Sequence, residues 1–103
     1  MLIKKHKAIP FLKLLDESGQ IIYESPLKEY RLPENVVLEL SNEFYSDPEP
    51  CEIHRGAIHM RVYMELLEIC PEGATKRISE LDERVQSYFP FETTSIVITE
   101  KKK

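Results

Sequence analysis

Four side chains able to do chemistry fall within twenty residues of this sequence: Cys51, His54, His59 and Cys70. The whole chain of 103 residues has only two cysteines and three histidines, so the clustering invites two questions. The first is whether the four bind a metal. Zinc ligands must converge on one ion at about 2.0–2.3 Å. On a helix, His54 and His59 are five apart and diverge by about 140°, and on a strand an odd separation sends them to opposite faces. Cys51 and Cys70 are nineteen apart, about 28 Å along a helix or about 60 Å along a strand. No regular element gathers them, and no metal site is expected.

The second question is whether Cys51 is a nucleophile. In the first turn of a helix, free N–H groups and the dipole favour a thiolate. His54 follows three residues later and Arg55 after it, so "CEIHR" has the parts of an activated thiol. Against this, Glu49 and Glu52 flank the sulfur, and no second cysteine stands at CxxC spacing. A packed, structural cysteine is the plainer reading. It is plainer still for Cys70, beside Pro71. Cys51 and His54 are carried forward only as the candidate pair for a thiol-dependent enzyme or redox sensor.

Other catalytic patterns are missing. Three glycines, Gly19, Gly56 and Gly73, cannot build a GxxxxGK or GxGxxG phosphate loop, and neither GxSxG nor HExxH occurs. Glu80, Asp82 and Glu83 read as a solvated helix face rather than a catalytic pair. The five tyrosines are scattered without basic residues between them, unlike a base-stacking platform. No cofactor is expected.

The element carrying the four residues has two apolar stripes. Read as a helix over 48–70, it is opened by Ser46-Asp47-Pro48-Glu49 and stopped by Pro71 and Gly73. Ile53, Ala57, Met60, Met64 and Leu67 form one stripe, and Ile58, Val62, Leu66 and Ile69 lie on the far side. Such a helix would be buried on two faces. Met60, Met64, Ile58 and Val62 are therefore the candidates for binding a partner. Gly56 costs a helix about 1 kcal/mol, and the alternation Ile58–Glu65 suits a strand. If 56–69 were a strand, the fold class would survive but the topology would not.

Around it, "IPFLKLLDESGQIIYES" predicts a β-hairpin, with Gly19 supplying the positive φ of a short bulged loop. Residues 35–41 alternate Val36, Leu38 and Leu40 with less apolar neighbours, and the β-branched pair Val36-Val37 favours a strand over a short helix opened by Pro33. Ile78, Leu81, Val85 and Tyr88 recur at helical spacing, predicting a helix over 76–89 capped by Thr75 and stopped by Pro90. Residues 94–100 are a β-branched strand. The sum is a two-layer α+β domain spanning 1–103: four mostly antiparallel strands near 8–15, 20–24, 35–41 and 94–100, covered on one face by two helices.

Charge narrows the partners. The net charge is −4, but Lys4, Lys5, Lys7 and Lys101, Lys102, Lys103 sit at the two ends. Of 14 basic residues, setting those six aside leaves 8 against 18 acids, a balance of −10 for the body. Such a body repels nucleic acid. The lysine ends read as flexible, solvated termini. The first residues lack a signal-peptide pattern and no uncharged run approaches the roughly 20 residues of a membrane span. The two cysteines then read as reduced thiols of a cytosol. The expectation is a small, acidic, cytoplasmic domain that binds a protein partner, with no enzyme activity. An edge strand and a two-sided helix make a homodimer attractive.

Overall fold

Local turn chemistry builds the hairpin. In the computed structural model, which describes residues 9–46, 49–71 and 73–101, β1 (Ile9–Leu15) and β2 (Ile21–Pro26) pair antiparallel. Asp16 organises the loop: its Oδ1 accepts from the Ser18 N–H at 2.9 Å, the Ser18 hydroxyl at 2.7 Å and the Gln20 N–H at 3.0 Å. Gly19 has φ 88°, and the register shifts between Leu14 and Leu15, so this is the bulged hairpin expected. On its outer face Lys13 pairs across the strands with Glu24 at 3.5 Å.

β1 is also paired with β4 (Ser95–Lys101), which sets Leu12 opposite Ile98 and Leu14 opposite Ile96. These four side chains are fully buried and floor the core. With β3 at Thr75–Arg77, the complete sheet has the order β2-β1-β4-β3, and every pairing in it is antiparallel. Two main helices, α1 (Glu34–Tyr45) and α2 (Glu52–Ile69), pack on the face carrying Leu12, Leu14, Ile96 and Ile98. The architecture is the two-layer α+β arrangement of four strands and two helices.

Two elements are exchanged relative to the expectation. Residues 35–41 are not a strand but the middle of α1. The buried set Val36, Val37, Leu40 and Ser41 follows helical spacing, while Leu38 is 36% exposed. A strand would have put Leu38 on the same face as Val36 and Leu40. The β-branched pair lowers helix propensity by only tenths of a kcal/mol, which packing overrides. Pro33 fixes the extended residue before the first turn.

The second correction is the helix over 76–89. Thr75–Arg77 is instead β3, hydrogen-bonded to the first residues of β4. A 3-10 turn at Ile78–Glu80 follows, with the Ile78 N–H donating to the Thr94 carbonyl at 2.9 Å. Only Glu83–Gln86 is helical (α3), after extended Asp82. Leu81, Val85 and Tyr88 are buried as their spacing implied, with Phe89 beside them, while Ile78 is only partly buried. The first half of the segment answers to a distant strand instead, which supplies the sheet's fourth member.

The lysine-rich ends, except Lys101 at the end of β4, lie outside the described residues. So do Asp47 and Pro48 of the expected helix start. Ser46 caps not α2 but the end of α1, at φ 54°.

Candidate functional site

Helix α2 carries the candidate site. Cys51 is its N-cap, accepting the Arg55 N–H at 2.9 Å through its carbonyl, one position outside the first turn where the thiol reading placed it. At the other end the Cys70 N–H donates to the Leu66 carbonyl at 2.8 Å, and Pro71 forbids another turn. The two cysteines bracket eighteen helical residues and are both free thiols.

One row of α2 faces the core: Ile58, Val62 and Leu66 are at most 3% exposed. Burial of each stabilises the fold by roughly 1.5–3 kcal/mol. Ile58 and Val62 are thus withdrawn from the list of partner-binding residues, because no surface of this chain presents them. The opposite row remains open. Ile53, Met60 and Met64 are 81%, 54% and 56% exposed and form a crest along the helix. The expectation of burial on two faces fails on this side: the described residues supply only one apolar layer to cover α2.

The flanks between crest and core differ. On one flank His54 lies flat against Tyr45, with 4.4 Å between ring centroids and 2° between planes. Arg61 sits over the Phe44 ring at 4.6 Å, a cation–π contact. Below them Glu65 is held by an Arg84 ion pair and accepts the Tyr88 hydroxyl at 2.8 Å. Arg84 also donates to the Tyr88 oxygen. Burial, followed by the Glu65 carboxylate, pushes the Tyr88 phenol well above its usual range. This network fastens α3 to α2 and makes a poor acid or base. Between Met60, Met64 and Phe44 lies an open groove of about 450 Å³ bordered by Glu43 and Glu68.

The other flank faces residues 28–34. Arg55 donates to both oxygens of Glu34, at 2.8 and 3.2 Å, and this bond holds the Glu34 carboxyl below its ordinary range. His59 and Tyr63 share a second groove with Arg31, of about 740 Å³. Burial, then Arg31 and Arg55, lower the basicity of the His59 ring.

The four residues that opened the sequence reading are therefore dispersed. Cys51 is exposed at one end of α2, and Cys70 is buried at the other, where its thiol donates to the Ala74 carbonyl at 3.1 Å and burial raises its pKa. His54 and His59 sit on opposite flanks. Among the described residues no three His, Cys, Asp or Glu side chains are placed to hold a metal ion. No described helix is long and apolar enough to cross a membrane.

Sequence reasoning named Met60 and Met64, which line these grooves, but did not place Phe44, Glu43, Glu68 or Arg31 beside them. Phe44 was within reach through the helical alternative for 34–45. Arg31 lies in a segment with no periodicity, so nothing local signalled it. Compared with known proteins, the chain matches no family model, no curated protein and no solved structure.

Proposed function

We propose that this chain is a non-catalytic, cytosolic binding domain that docks a basic amphipathic protein segment on the crest of α2. The observation that carries the reading is the row Ile53, Met60 and Met64, exposed in line on a helix whose opposite row is buried. Aligned apolar side chains of this size mark interaction surfaces. Methionine in particular adapts to the shape of varied partners.

The rim selects the sign of the partner. Glu43 and Glu68 border the groove beside Met64, and neither makes an ion pair among the described residues. Arg84 is occupied by Glu65, and Arg61 by the Phe44 ring. Arg61 keeps its charge over that ring, so Glu43 and Glu68 leave the groove one charge negative, and lysines or arginines on the partner gain attraction and faster encounter. A second copy of this chain would bring like carboxylates together, which makes the homodimer the weaker occupant. Two free thiols fixed at opposite ends of one helix fit a reducing compartment.

The test is calorimetric titration with two designed helical peptides of one leucine pattern, one with lysines and the other with glutamates on its polar face. The lysine peptide binds and the glutamate peptide does not. In the folded Met60→Glu/Met64→Glu variant, binding drops at least about tenfold, the loss of one hot-spot contact or more. Equal binding of both peptides, or undiminished binding by the variant, overturns the proposal. Sedimentation of the chain alone completes the test, because a dimer abolished by the same variant would assign the crest to a second copy.

The thiol reading keeps one point in its favour, the exposure of Cys51 at the N-cap. Alkylation by iodoacetamide only above about pH 8 marks it as an ordinary thiol.

A further inference from the structure

The groove on the other flank of α2 has a different character from the crest. Its floor and walls come from Leu32, Val37 and Tyr63, with Met60 on the lip. At about 740 Å³ it falls within the size range of small-molecule sites, roughly 300–1,000 Å³. Cations reach it from two elements. Lys28 and Arg31 come from the segment between β2 and α1, and Arg55 comes from α2. Carboxylates are present too, in Glu29 and Glu34 on the first side and Glu52 on the second.

Their distribution decides the local field. Glu34 is bound to Arg55, and Lys28, Arg31, Glu29 and Glu52 make no ion pair among the described residues, so what matters is which of them act on His59. The charged groups that act on the His59 ring are both guanidiniums, Arg31 and Arg55. Its Nδ1 is buried and has no hydrogen-bond partner among the described residues. The imidazole thus has an unused nitrogen in a groove it shares with Arg31, whose charge no ion pair among the described residues offsets, while that of Arg55 is offset by Glu34.

We propose that this groove binds a small organic anion, a carboxylate or phosphate head on an apolar body, recognised by Arg31 and His59 beside the Arg55–Glu34 pair. Arg31 offers its planar fork to the head group. His59 donates through Nδ1–H, which either the protonated ring or one neutral tautomer provides. Tyr63 and Met60 line the space left for the apolar body. A bound anion supplies the missing counter-charge, so it favours the protonated ring and binding tightens as pH falls through the His59 titration.

The experiment follows the His59 ring by NMR titration against pH, alone and with inorganic phosphate, benzoate or phenyl phosphate at constant ionic strength. Benzoate and phenyl phosphate raise the His59 pKa saturably, by about one unit. A similar response to inorganic phosphate assigns recognition to the head group alone; a much weaker one shows that the apolar body contributes. The Arg31→Gln variant, altered at an exposed position, stays folded and starts from a higher His59 pKa. It binds benzoate and phenyl phosphate about tenfold more weakly. A His59 response that is identical for chloride, or one that survives Arg31→Gln unchanged, overturns the proposal.

Discussion

The two apolar rows of α2 are alike in sequence and opposite in fate. Ile58, Val62 and Leu66 are sealed against the sheet, while Ile53, Met60 and Met64 stand open on the other side of the same helix. Both rows repeat at helical spacing, and both contain large side chains. The difference lies in what the rest of the chain can cover. A four-stranded sheet with helices on one face provides one apolar floor, and α1 takes part of it. The second row is left exposed. Stiff Ile58 and Val62 fill the defined interior, and two flexible methionines stand on the open side, where the proposed partner would dock.

Stability measurements separate the rows most sharply. Leu66→Ala removes a fully buried side chain from the middle of the core. It is expected to cost about 2–5 kcal/mol in urea unfolding. Met64→Ala, two residues earlier and on the opposite face, should stay within about 0.5 kcal/mol. A Met64 variant as damaging as Leu66→Ala would mean that the crest is already covered by this chain.

The flank between the rows should give an intermediate effect. Tyr88→Phe deletes a hydroxyl that donates to Glu65 and accepts from Arg84 while leaving their ion pair in place. A loss of about 1–2 kcal/mol is expected by the same measurement. On the open side the sign reverses. A Cβ at Gly56 would meet nothing within 4 Å, and no positive φ holds the residue there. Gly56→Ala should therefore stabilise the helix by about 0.5–1 kcal/mol, visible as a raised melting temperature.

The smallest effect is a pH dependence from His59. Its folded pKa lies below the ordinary 6.5, through burial and then Arg31 and Arg55. Below that value the unfolded chain binds the proton more readily than the folded one. The stability contribution is thus present above about pH 6.5 and lost as pH falls through and below it. In His59→Gln, the unfolding free energy should change less between pH 7.5 and 5.5 than in the parent.

How legible all this was depended on the range of the interactions. The hairpin could be read because Asp16, Ser18 and Gly19 settle the turn among themselves. Residues 81–89 showed their buried spacing, but Thr75–Arg77 took its conformation from β4, twenty residues on, and no local pattern reports that. Val36-Val37 misled because β-branching is a weak local bias against the packing of four side chains on one face. For the site, both rows of α2 were visible in the spacing. Which row would be covered was not, because that depends on how many layers the finished fold supplies. The groove around His59 was invisible, since Arg31 joins it only through tertiary placement.

The account rests on the crest of α2 being a surface built to be covered by a basic apolar segment. Methyl NMR of the chain labelled at its methionines, titrated with the lysine-faced peptide, reads that surface directly. The ε-methyl signals of Met60 and Met64 should move together and saturate, and should stay still with the glutamate-faced peptide. Signals indifferent to both peptides, in a chain that sediments as a monomer, would contradict it.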